Sequence, residues 1–141
     1  MVTQMDKEAA VRAARSHRFW FGSRKKSGEL VKVQVWLTVN DGRVEFLTGM
    51  DSLKVKRTKR NPRVTCFLGA ENGPALEGNA EITTDAAVMQ RIYRAYWKTH
   101  PVMMLVLGPV LKRRMKDGRQ GAVLIRLDDP NPLAGVTDPA V

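Results

Sequence analysis

From Glu29 to Asn40 the chain alternates, with Val31, Val33, Val35, Leu37 and Val39 on one parity and Lys32, Gln34, Trp36, Thr38 and Asn40 on the other. A strict period of two with β-branched residues on one parity predicts a strand with one buried face. The stretch runs into Asn40-Asp41-Gly42. A two-residue hairpin turn needs positive φ, which Asp-Gly tolerates. Val44 and Phe46 then carry a return strand to Thr48. A hairpin is therefore the anchor of the fold.

Elsewhere the pattern adds four strands and a few helices. Gln4 to Arg18 is alanine-rich, free of proline and glycine, and predicts a helix; Phe19-Trp20-Phe21 opens a first strand, with a turn at Lys25 to Gly28. Asp51-Ser52 predicts the cap of a helix over Leu53 to Arg60, which must stop before Pro62. Arg63 to Leu68 and Ala75 to Ile82 predict strands around a turn at Glu71-Asn72-Gly73-Pro74. Thr84 is expected to cap a helix to Thr99 carrying Val88, Ile92 and Tyr96 on one face, broken at His100-Pro101. A second helix from Val102 to Met115 is disturbed at Gly108-Pro109, and Ala122 to Leu127 is a closing strand. Six strands and few helices predict an antiparallel barrel rather than a βαβ sheet. One domain over residues 1–127 is expected, followed by an irregular tail over 128–141, which holds three prolines.

Composition narrows the chemistry. The single cysteine, Cys66, allows no internal disulfide, and with two histidines it leaves too few soft ligands for a structural zinc site. The charged start lacks the apolar core of a signal peptide, so a reducing cytoplasm is the expected compartment. The formal net charge of +10 favours an anionic partner: nucleic acid, acidic lipid, or a phosphorylated or polycarboxylate ligand. Val102 to Leu111 is apolar but about half the ~20 residues that span a bilayer. Its first six residues are open to three readings: core, dimer face, or a membrane-touching surface flanked by Lys112, Arg113 and Arg114.

One constellation carries chemistry. Thr48-Gly49-Met50-Asp51-Ser52-Leu53-Lys54 puts a strand end, a hydroxyl cap and a helix N-terminus within seven residues. A helix N-terminus offers free amides and about half a positive charge, to which Ser52 adds a hydroxyl and Lys54 an ammonium. That is a phosphate cradle without a glycine-rich loop; equally, Ser52 can be a plain cap and Lys54 a solvated lysine. No catalytic triad, metal set or carboxylate pair stands out, and no catalytic residue is assigned. His17 and His100 read as surface or cap residues, Cys66 as a small buried side chain, and Tyr96 and Trp97 as core rather than pocket.

The spacing Thr-x-x-x-Ser-x-Lys, with Asn61-Pro62 seven residues beyond Lys54, resembles the phosphate-holding pattern of the pyridoxamine 5′-phosphate oxidase superfamily and its deazaflavin-dependent relatives. The order around it is similar too, over Phe19 to Ile82: a strand, a charged turn, a long strand with Val35-Trp36, an Asp-Gly hairpin, then Phe46-Leu47-Thr48. The resemblance implies a mainly β fold with flanking helices, a six-stranded antiparallel split β-barrel of the FMN-binding, Greek-key type. It implies phosphate contacts from Ser52 and Lys54, and contacts near a ring system from Thr48 and from Val33, Gln34, Val35 and Trp36. Lys56 and Arg60, with Arg57, Lys59 and Arg63, offer charge to an anionic tail. Flavin mononucleotide oxidases of this type place a phosphate-binding lysine near the position of Trp36, where this chain has none. The deazaflavin relatives often carry Pro-Val-Trp where this chain has Gln34-Val35-Trp36.

What the resemblance implies is a homodimeric oxidoreductase that uses coenzyme F420, or alternatively FMN, to move a hydride to a small hydrophobic acceptor, the cofactor doing the transfer. A binding protein for the same cofactor without turnover is the second reading. A nucleic-acid binder using Lys54 to Arg63 is a third, disfavoured because no aromatic-rich motif accompanies the basic run; no nucleic-acid partner and no metal are expected.

Overall fold

The computed structural model describes residues 7–139. Its elements are α1 (Lys7–Arg15), β1 (Arg18–Arg24), β2 (Leu30–Trp36), β3 (Thr38–Asn40), β4 (Arg43–Gly49), α2 (Leu53–Arg60), β5 (Arg63–Leu68), β6 (Ala75–Thr83), α3 (Ala86–Thr99), α4 (Pro101–Lys116) and β7 (Gln120–Leu127). The strands form one antiparallel sheet in the order β2-β1-β5-β6-β7-β4-β3.

The two ends of that sheet are halves of one stretch. The long strand expected over Glu29 to Asn40 divides at Leu37: its first half pairs with β1, Trp36 opposite Arg18, and its second half with β4, Thr38 opposite Glu45. Seven strands therefore stand where the sequence pattern counts six. The break is how the sheet curls, since one extended segment passes from one end of the sheet to the other. Leu37, at the break, is fully buried. The Asp41-Gly42 turn forms as expected, with φ of 49° and 77° and Asn40 paired to Arg43.

Inward-facing residues recur at period two and fill the barrel. Phe19 and Phe21 of β1 meet Phe46 of β4, Phe21 edge-on at 5.0 Å, with Cys66, Val123 and Ile125 around them. Cys66 is buried in this core, and desolvation pushes its thiol far up, as befits an inert side chain. The opposite parity of β4 and β7, Leu47, Ala122 and Leu124, supports a second layer made by α3 and α4. α3 is capped by Asp85, whose carboxylate accepts from the Val88 amide, and not by Thr84. An aspartate one residue closer to the first turn also places its charge nearer the helix dipole. His100 ends α3, and Pro101 opens α4 at the first position, where a missing amide costs nothing. The predicted first helix is found over Lys7–Arg15; its expected residues Gln4 to Asp6 lie outside the described residues, and Ser16 to Arg18 have turned out of the helix.

Although the described part of the C-terminal segment has no helix or long strand, it is docked. Val39 and Asp138 exchange both backbone hydrogen bonds at 2.9 Å, and the Gly42 amide donates to the Val136 carbonyl at 2.8 Å. Asn131 donates to the Gly42 carbonyl, and Leu133 is fully buried in the barrel core. The strap thus lies across the hairpin turn, whose Gly42 leaves room for the Leu133 carbonyl. Leu133→Ala is expected to cost about 2–5 kcal/mol, measured as a lowered urea midpoint with unchanged slope; an unchanged midpoint would mean that the strap contributes nothing.

Candidate functional site

Two groups of the expected site residues are each brought together. The first is at the start of α2. The Ser52 side chain accepts from the Val55 amide at 3.4 Å and lies 3.3 Å from the Thr48 hydroxyl, while its carbonyl takes the Lys56 amide. The first-turn amides of Leu53 and Lys54 are left without an acceptor among the described residues. Lys54 is half-buried beside them. Burial, helped by the neighbouring Arg57 guanidinium, holds its ammonium below the ordinary lysine value. A desolvated cation with two free amides is an arrangement that a phosphate would satisfy.

The second group lies along β2. Gln34, Val35 and Trp36 line a shallow pocket of about 270 Å³ with Leu47 and Tyr96, walled on the far side by Leu107, Val110 and Leu111 of α4. Trp36 is fixed on two sides: His100 stacks on it at 4.2 Å with planes 7° apart, and Tyr96 meets it edge-on at 5.0 Å. Tyr96 is buried, and its hydroxyl accepts from the Leu47 amide at 2.9 Å. Burial pushes its phenol far up against a smaller opposing pull from that amide, so it stays neutral. Burial and the nearby His17 hold the His100 imidazole below its usual value, leaving a neutral ring to stack.

α4 joins the two groups. One turn beyond Leu111, the Arg114 guanidinium reaches Gly49, lies 3.8 Å from the Asp51 carboxylate and donates to Gln120. Gly49 has no side chain, and a Cβ there would meet Arg114 Nη2 at 2.8 Å. A line of residues, the trough, therefore leads from the apolar pocket at Trp36 through Arg114 of α4 to the Gly49–Asp51 segment before the Ser52 cap. Val33 is half-buried and lines neither part. Lys56 is exposed, and Arg60 turns to the end of β1, donating to the Arg24 carbonyl. Arg63 is engaged by Asp128 at 2.6 and 2.8 Å and by Glu77, so its charge is already answered.

Sequence reasoning missed Arg114, His100 as a stacking partner, and the pocket-lining side of Tyr96. Only the packing of Trp36 and Gly49 against helices about sixty residues later reveals them, and no local spacing carries that. The stretch Val102 to Leu107 is mostly surface in the single chain: only Met104 is buried, whereas Val102, Leu105 and Val106 are about 70% exposed.

No family model and no curated protein sequence matches the chain. Solved structures do. A conserved hypothetical protein of Mycobacterium tuberculosis shares 20% identity with a TM-score of 0.70, over 89% of this chain and 82% of the other. A Listeria innocua protein provisionally assigned as a pyridoxamine 5′-phosphate oxidase shares 12% identity at a TM-score of 0.63, over 87% and 94%. An F420 reductase shares 13% identity at 0.54, over 90% and 96%. At these identities the agreement is one of architecture: the chain shares the fold of these structures, an antiparallel split β-barrel.

Proposed function

We propose that the chain is an oxidoreductase that binds F420 along the trough and reduces a small hydrophobic acceptor. The observation that carries this reading is that Arg114 of α4 links the apolar pocket at Trp36 to the segment before the Ser52 cap. The Ser52–Lys54 cradle takes a phosphate, Trp36 and Leu47 give a flat apolar seat for a ring, and Arg114 lies between them. When bound, F420 supplies the hydride. The residues of this chain orient it: Ser52 and the free amides fix the phosphate, Lys54 neutralises it, and the Trp36–Tyr96–His100 cluster sets the plane of the ring. Lys56, Arg57 and Lys59 of α2 offer charge to a polyglutamate tail that FMN lacks. The architecture shared with an F420 reductase supports the same reading.

The open side of the trough calls for a cover, and a second copy of the chain is the proposed one. Six large apolar side chains of α4 are exposed, from Val102 to Val110, where a lone soluble surface rarely gathers so many. Leu107 and Val110 belong both to this face and to the pocket wall. A second copy seated there would exclude water from the ring.

Three measurements check the proposal. Calorimetry is expected to show F420 binding more tightly than FMN; tighter FMN binding reverses the cofactor assignment while leaving the site. Lys54→Ala should weaken F420 binding about tenfold to a hundredfold, the value of a charge-assisted hydrogen bond of roughly 1.5–3 kcal/mol, with the loss shrinking as salt rises. Because Lys54 loses its proton below the ordinary lysine range, wild-type affinity should also fall as pH climbs toward that range, and Lys54→Arg should flatten the fall. Unaltered affinity in folded Lys54→Ala would remove the cradle from the site. Light scattering should give a dimer, and Val106→Glu a monomer with weakened cofactor binding; a monomeric wild type would leave α4 to another role.

A further inference from the structure

A second cavity, of about 600 Å³, lies on the other flank of α3, enclosed by the outer side of the β3–β4 hairpin and by the C-terminal strap at Thr137–Pro139. It is separate from the trough: Tyr96 faces the trough, while Arg91, Arg94, Ala95 and Lys98 face this cavity. Its floor holds Glu45, a carboxylate only 1% exposed on a strand whose neighbouring outward residue is apolar Leu47. Both Glu45 oxygens accept from Arg91 Nη2, at 2.7 and 2.8 Å, and one also accepts from Arg43 Nε at 3.0 Å.

A buried acid held by half-exposed arginines is a poor source of stability, since a well-packed apolar residue at the acid's position often does as well or better. What Glu45 does is hold Arg91. The contact uses one terminal nitrogen of the guanidinium and leaves the remaining N–H donors without an acceptor among the described residues, held in fixed geometry to meet a ligand. Two cations answer one buried acid, so the cluster carries net positive charge. Arg94 and Lys98 continue the stripe at i+3 and i+7 along the same flank of α3. Asp138, the other acid of the wall, is taken by His17 at 3.0 Å. The remaining walls mix aliphatic side chains, Val39, Ala87, Ile92 and Pro139 among them, with neutral polar ones, and no aromatic side chain among the described residues lines the cavity.

We infer that this cavity is a binding site for an aliphatic carboxylate, its head on Arg91 and its chain against the strap and α3. The volume falls within the range of small-molecule sites. With no ring to stack upon, the cavity suits an acyl chain better than a flavin or a nucleotide base. The site is independent of the trough, so its fate does not depend on which cofactor the trough takes.

The test is amide-resolved NMR titration of the full chain with octanoate, octylammonium and octanol. Octanoate should bind saturably, shifting the amides of Gln90 to Ala95 and of Thr137 and Asp138, and both other probes should bind more weakly. The double variant Glu45→Gln/Arg91→Gln, which removes the anchor without stranding a buried charge, should lose about tenfold to a hundredfold in octanoate affinity. Should that variant fail to fold, Arg91→Lys keeps the charge beside Glu45 but gives up the fork, and it should weaken octanoate while leaving octanol unchanged. Absence of saturable octanoate binding, equal binding of octylammonium, shifts confined to Trp36 and α4, or full affinity in a folded variant would each overturn the assignment.

Discussion

Everything outside the barrel depends on the extended stretch from Leu30 to Asn40 being shared by both ends of the sheet. A curled sheet has two ends, and here one segment forms both by changing partner at Leu37. The change of partner also sets which way the neighbouring side chains point. Trp36 is delivered outward against Tyr96 and His100, and Val39 is left beside the C-terminal strap. The trough and the carboxylate cavity are thus the two flanks of a single helix, α3, laid across the seam.

Local chemistry was readable in the sequence wherever one residue type answers one backbone demand. Asp41-Gly42 supplies two positive φ angles, and Ser52 caps α2 over the bounds its neighbours predict. The Leu37 break was not legible, because alternation continues through it without interruption; what ends the pairing is the curvature of the whole sheet. The docking of the strap was not legible for a similar reason. Three prolines make it irregular, but irregular backbone still docks when another turn answers its hydrogen bonds, as Gly42 does by donating to the Val136 carbonyl and accepting from Asn131. At the site, Ser52 and Lys54 stood out by spacing and Trp36 by the resemblance, whereas Arg114 and Glu45 acquire meaning only from contacts more than forty residues away in the chain.

The net charge of +10 is unevenly spent. Arg63 is tied to Asp128 and Glu77, and Arg91 and Arg43 share Glu45. Basic side chains of α2 and of the last turns of α4 face solvent at the cradle end of the trough. A field of one sign over a groove raises the local concentration of anions and speeds their capture. The aromatic end, by contrast, is held by stacking and burial and depends little on salt.

The position of β7 has a consequence for synthesis. The last strand in the chain lies between β6 and β4, so those two cannot be bridged until the residues up to Leu127 have left the ribosome. Until then β4 is paired only along its short contact with β3, and its outward Leu47 and inward Phe46 have no neighbour on that side. A nascent chain of this design is most vulnerable to association just before its final strand arrives. Truncation before β7 would leave an open edge for other chains to pair with, not a smaller barrel.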